Sequence, residues 1–281
     1  VGVEFASIYA RFGTKVTLVE LMDRIVPNED VDISKELKKA LRKKMDIHTS
    51  TRYESLEKQS EEVQVTARDD KGKTLQFKAE KLLVAIGRAP VSEGLGFEEA
   101  GVTMDRGFVQ VDEMMRTNVA GVYAIGDLVP TSAYAHTASA EGIVAVEHMA
   151  GHNPRPVRYD HVPNCTYCDP EVASVGLTEE KARAAGIDVK VGSFPLATLG
   201  KVLIIGEKHA LVKIVAEAKY GEILGVHIVG PRATELIAQA CIALTNETTV
   251  DELVGTMHAH PTVSEGLKEA AENVFGSAIH I

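Results

Sequence analysis

The sequence predicts an α/β fold that gives way to an α+β block toward the C-terminal end. Three observations predict it. A helical pattern passes directly into a buried strand, "KVTLVE", near the start. A second helix is followed by alternating strands and the apolar run "LLVAI". Beyond the Pro-rich stretch "GHNPRPVRYD" the rhythm changes to strands joined by short turns, with helices between them.

Residues 3–12 carry Phe5, Ile8, Tyr9 and Phe12 on one side of a helix that stops at Gly13. The chain therefore opens on a helix, without Met or a leader pattern, and the strand expected before that helix is absent. This predicts a piece whose N-terminal part is missing. "DISKELKKALRKKM" is a second amphipathic helix, with Ile33, Leu37, Leu41 and Met45 on one face. Strands follow, with a turn at Asp69-Asp70-Lys71-Gly72, and the run 82–86 reads as a last strand closed by Gly87. "GFVQVDEMMRTNVAGVYAIGDLV" contains two strands, the second over 122–125, and leads into a helix of small residues. In the last block Thr178 caps a helix, although Lys181 spoils the capping box. "HALVKIVAE" and "EILGVHIVG" form an antiparallel hairpin, and "ATELIAQACIALTN" and "TVSEGLKEAAENVF" are helices. The predicted regions are 1–88, 89–156 and 157–281.

The 281 residues are 45% hydrophobic and 25% charged, enough for two or three cores. A net charge of −10 argues against a nucleic-acid surface. No apolar run approaches the roughly 20 residues of a membrane helix. Three cysteines, an odd number, argue against a secreted disulfide framework, so a reducing, cytoplasmic setting is expected.

Three places can carry chemistry. Gly2 can be the last glycine of a dinucleotide turn, and Glu20, ending the next strand, the acid that accepts from ribose hydroxyls. A chance Gly and a surface Glu explain the pair equally well. Gly126-Asp127 puts a carboxylate between a strand and a helix, where it can hold a ribitol or ribose hydroxyl or simply cap the helix. In "HAHPTVSEG", Glu265 lies five residues after His260 and can hold the imidazole as a general base. The alternative is a helix cap, which Thr262 or Ser264 can supply unaided. His258 reads as structural or solvated.

The stretches "GVEFASIYARFGTKVTLVE", "LLVAIGRAP", "RGFVQVDEMMRTNVAGVYAIGD", "DPEVASVGLTE" and "HAHPTVSEGLKEAA" resemble the dihydrolipoamide dehydrogenases, which are flavoprotein disulfide oxidoreductases. The resemblance covers essentially the whole chain and implies the C-terminal part of such a protein. It implies a partial Rossmann-type NAD domain, an FAD-side segment and an α+β dimerisation domain. It implies that Gly2, Glu4, Glu20 and Gly87 serve NAD, and that Asp127 and Ala135 serve FAD. It implies that His260 is the catalytic base and Glu265 its orienting partner. The implied reaction oxidises dihydrolipoamide through a protein disulfide, with electrons passing by FAD to NAD. The implied partners are a second copy of the chain, with 160–281 as the interface, and a lipoyl domain of a 2-oxo acid dehydrogenase or glycine cleavage complex.

The chain departs from that pattern in lacking the first glycine motif and the pair of redox cysteines separated by four residues, so alone it is expected to be inactive. Val91 stands where Asn is common. The other readings are a glutathione- or mercuric-type reductase and a non-catalytic NAD-binding dimerisation module. Glu20 argues against the glutathione type, which should take NADP. The ending "SAIHI" argues against the mercuric type, which should close on adjacent cysteines. "NCTYCDP" reads as strand, turn and strand, not as a helix-opening redox motif, and no second ligand pair completes a zinc site.

Overall fold

The computed structural model describes residues 1–280. It forms two compact units, one of Val1–Ala85 with Pro163–Ile281 and one of Ile86–Val162. In the first unit, helix α1 (Gly2–Arg11) buries Val3, Ala6 and Ser7, while Phe5, Ile8, Tyr9 and Phe12 face outward. Strand β1 (Thr17–Val19) pairs in parallel with β2 (Asp46–His48). Between them runs α2 (Val31–Leu41), capped by Asp30, whose carboxylate accepts from the Asp32 amide. Its predicted face is its buried face: Ile33, Leu37, Leu41 and, just beyond, Met45 all lie in one core with Val3 and Ala6. Each such side chain contributes about 1.5–3 kcal/mol.

Strands β3 (Thr51–Lys58), β4 (Val63–Asp69) and β5 (Thr74–Ala79) form an antiparallel meander. The predicted turn joins the last two: Asp69 Oδ1 accepts from the amides of Lys71 and Lys73. The predicted strand over 82–86 is corrected. It has no ladder partner among the described residues, and Val84 and Ile86 are exposed. An extended apolar run becomes a strand only where a neighbour takes its backbone groups.

The later part of this unit is an antiparallel sheet of β8 (Asn164–Thr166), β9 (Glu171–Gly176), β10 (Val189–Pro195), β11 (Leu211–Glu217) and β12 (Ile223–Gly230). Its order is β10-β11-β12-β9-β8. The predicted hairpin is β11–β12. Helices α4 (Glu179–Ala184), α5 (Gly200–Ile205), α6 (Ala233–Thr245), α7 (Val250–Gly255) and α8 (Glu265–Val274) complete it. Thr178 caps α4 by accepting from the Lys181 amide. One sheet face buries Val212, Ile214, Val226 and Ile228 with residues of α6 and α8. Helix α8 lies so close to β10 that a Cβ at Gly192 would fall 2.1 Å from the Ala270 carbonyl oxygen.

On the opposite face a polar row crosses the sheet. Cross-strand register places Ser193 beside Lys213, Lys213 beside His227, His227 beside Ser174, and Ser174 beside Asn164. The start of α2 closes over this row. Lys213, 1% exposed, reaches Asp30 at 2.9 Å, Asp32 at 2.7 Å and Glu179 at 2.8 Å. Asn164 donates to Glu29. Sequence patterning missed β10, α5 and α7, which are short or lack a clear period.

The second unit has a short hairpin, β6 (Met104–Asp105) with β7 (Phe108–Val109), and one long helix, α3 (Ala135–Met149). Its core is Val102, Val109, Ala124 and Val129. The strand predicted over 122–125 is also corrected, because only an isolated bridge joins Tyr123 to Arg116. Asp112 takes the amides of Met114 and Arg116 and turns the chain there, so no longer ladder forms.

Candidate functional site

The chemistry closest to completion lies at the start of α8. His260 is joined to Pro261 by a cis bond. Thr262 donates its hydroxyl to the Ala259 carbonyl at 2.7 Å and folds the loop back on itself. Glu265, the first residue of α8, then meets the loop with both oxygens. Oε1 lies 2.8 Å from His260 Nδ1, and Oε2 accepts from the Thr262 amide at 2.8 Å. Burial raises the affinity of Glu265 for a proton, but the Thr262 amide and the His260 ring outweigh it and hold the carboxyl below its ordinary range. An ionised carboxylate on Nδ1 fixes the tautomer that carries its lone pair on Nε2, which is what a general base needs. His258 Nδ1 lies 3.1 Å from the Thr256 carbonyl oxygen.

The remaining predicted residues fall in two groups. Gly2, Glu4 and Glu20 belong to the first unit. Gly2 opens α1, where an added Cβ would sit 3.5 Å from the Ala85 Cβ, an ordinary contact. The Glu4 carboxylate accepts from the Tyr167 amide at 2.9 Å, tying α1 to the turn after β8. Glu20 follows β1, and its Oε1 accepts from the Met22 amide at 2.8 Å. It is a partly exposed carboxylate at a strand end, the position from which ribose hydroxyls can be held.

Gly87, Asp127 and Ala135 belong to the second unit. Gly87 is exposed, with φ +148°. Gly126, with φ +71°, opens a single 3₁₀ turn that includes Asp127. A Cβ at Gly126 would come within 3.3 Å of the Ala138 Cβ on α3, which Ala135 opens. A left-handed, close-packed position of this kind suits glycine. It brings the 3₁₀ turn that holds Asp127 against the first turns of α3.

Sequence reasoning missed the residue that fixes this turn. Glu141 is fully buried on α3. It accepts from the Gly126 amide at 2.7 Å, the Thr131 hydroxyl at 2.7 Å and the Tyr159 hydroxyl at 2.9 Å. Burial and the adjacent Glu141 push the Tyr159 hydroxyl well above its ordinary range, so it remains a donor. The signal was an acid set among small residues in the middle of that helix.

All three cysteines are free. Burial pushes the Cys168 thiol up to about 12 and Cys165 up to about 11, which leaves both weak nucleophiles. Among the described residues no group of three or more His, Cys, Asp or Glu side chains can hold a metal, and no helix is long and apolar enough to cross a membrane.

A nucleotide-type α/β opening, an acidic turn beside α3 and a histidine–carboxylate pair together define a class, the nucleotide-dependent oxidoreductases. The family model for pyridine nucleotide-disulphide oxidoreductases matches residues 1–142, and the model for their dimerisation domain matches 162–271. The chain belongs to the pyridine nucleotide-disulphide oxidoreductase family, whose members use FAD and NAD(H). Within it, the chain is similar over its whole length to the dihydrolipoyl dehydrogenases of Bacillus subtilis (44% identity) and Thermus scotoductus (46%). It spans 60% and 61% of the length of those two relatives. The structure is similar to LpdA from Mycobacterium tuberculosis, with TM-score 0.86 and 30% identity over 96% of this chain and 58% of that one. It is also similar to the HOCl-induced flavoprotein disulfide reductase RclA from Escherichia coli, with TM-score 0.86 and 27% identity over 96% of this chain and 62% of that one.

Proposed function

We propose that the chain supplies the base, the NAD-side residues and part of the FAD site of an enzyme that oxidises dihydrolipoamide to lipoamide with NAD as acceptor. The observation that carries this reading is the His260–Glu265 pair, with its 2.8 Å contact and its carboxylate held ionised. Asp127 would hold a ribitol hydroxyl of FAD, beside the backbone of Ala135. Glu20 would hold the adenosine ribose of NAD, with Gly2 and Glu4 along the dinucleotide. Bound together, FAD and NAD supply the electron relay. His260 Nε2 takes the proton of a substrate thiol, and Glu265 keeps the imidazole oriented as it becomes charged. The thiolate left behind attacks a protein disulfide, the step that starts exchange.

The reading places that disulfide outside these 281 residues, since Cys165 and Cys168 are suppressed thiols. It pairs two copies of the chain through the 162–271 region that matches a dimerisation domain. It takes a lipoyl domain as substrate carrier, in a cytoplasmic setting consistent with free thiols.

The test is His260→Gln in the protein extended upstream to carry the redox disulfide. Turnover of dihydrolipoamide should fall at least about a hundred-fold while flavin absorbance is unchanged, the range expected for loss of a general base. Near-normal turnover would refute the assignment.

A further inference from the structure

A second imidazole–carboxylate pair stands beside the first. Glu269 follows Glu265 by one helical turn, so the two carboxylates are neighbours on α8. Glu269 is 5% exposed, yet it is a strong acceptor. Its Oε2 takes the amides of Ile279 and His280 at 2.9 and 3.2 Å, and its Oε1 lies 2.6 Å from His280 Nδ1. The chain end is thus folded back along α8, and an exposed imidazole is fixed one turn from the His260–Glu265 dyad.

We propose that His280 is a positioning residue for the dyad, a cation held by Glu269 that keeps Glu265 ionised and so keeps His260 oriented. This rests on the reading of His260 as the base. Electrostatics agree with the geometry. Its hydrogen bond to Glu269 raises the proton affinity of His280, and the nearby His280 charge is one of the influences that lower that of Glu265. The other acids close to His280 are Glu265 and Glu272. The elements packed against α8 carry Asp251 and Glu252 on α7, Lys190 on β10, and Lys213 and Glu217 on β11. Glu252 is engaged by Thr249, Lys213 by three carboxylates, and Glu217 by the amides of Lys219 and Tyr220. On α8 itself Lys268 lies 3.9 Å from Glu272, and the imidazoles set on Glu265 and Glu269 are those of His260 and His280.

The experiment compares His280→Gln with His280→Lys. The titration of the dyad, which behaves as one coupled unit, is followed in this chain by NMR at the Glu265 side-chain carbonyl. Removing the cation with Gln should raise the acid-side midpoint by about 0.3 pH unit, the order expected for one charge one helical turn away across wet surface. Lys, which keeps the charge, should leave the midpoint within about 0.1 pH unit of the parent. In the upstream-extended enzyme, the acid limb of kcat/KM should move the same way. If both variants move the midpoint equally, or neither moves it, His280 only anchors the chain end and the proposal fails. The NMR result does not depend on turnover. A coupling without activity loss in His260→Gln would therefore sink the catalytic reading and leave the electrostatic one standing.

Discussion

Glu265 takes the Thr262 amide on one oxygen and the His260 ring on the other, and that division of labour sets the behaviour of the dyad. Glutamine at 265 keeps the shape but loses the charge. Turnover in the upstream-extended protein should fall about ten- to a hundred-fold, less than for His260→Gln, because orientation is weakened while the base remains. A loss equal to that of His260→Gln would assign Glu265 a direct part in the chemistry. The cysteines give a second prediction at this scale. With Cys168 pushed up to about 12 and Cys165 up to about 11, a disulfide reagent at pH 8 should modify both at least about ten-fold more slowly than in denaturant. Rapid modification of the folded chain would contradict that burial. The spacing of His260 and Glu265 was legible in the sequence, because a five-residue loop ending at a helix start can close locally. The Glu141 acceptor was not, because its partners Thr131 and Tyr159 lie 10 and 18 residues away and only folding brings them to one carboxylate.

Where α2 meets the sheet, the polar row behaves as a unit. Lys213 neutralises Asp30, itself buried, together with Asp32 and Glu179. Lys213→Ala would leave a buried carboxylate without its cation and should cost about 3–5 kcal/mol in urea unfolding. Glu29, at the same junction, is 3% exposed, and its Oε2 has no hydrogen-bond partner among the described residues. Burial raises it from 4.5 to about 7. A carboxyl raised on folding contributes its stability fully below its unfolded value, and that contribution is lost as pH rises through the folded one. The window is therefore about pH 4.5 to 7, and the full loss is about 3 kcal/mol. Glu29→Gln should flatten this dependence, so that the variant is more stable than the parent at pH 8 and equal to it near pH 4. Equal stability at pH 8 would show that water or a rearrangement relieves the buried charge. His227 acts in the opposite sense. Burial lowers it, so its contribution is present above about 6.5 and fades as pH falls.

For the molecule as a whole, the 162–271 match to a dimerisation domain and the exposed Leu203, Ile204, Ile242 and Met257 of that region predict self-association. Sedimentation of the chain at micromolar concentration should give a dimer, and a monomer would count against the pairing. By itself the sequence determined whatever depends on local period and spacing. The α2 stripe, the Asp69 turn, the β11–β12 hairpin, the Thr178 cap and the His260–Glu265 interval all follow from residues near one another along the chain. It misjudged 82–86 and 122–125, because an apolar extended run is a strand only when a partner pairs with it, and pairing is not a local property. Tertiary structure alone decided which polar residues meet. Register across the sheet aligned Ser193, Lys213, His227, Ser174 and Asn164. The same long-range closure brought Glu29 and Asp30 onto that row, Glu4 to the turn after β8, and His280 to Glu269. These contacts join residues whose separation in sequence carries no signal, and burial and charge give them their strength only after the sheet and helices have closed.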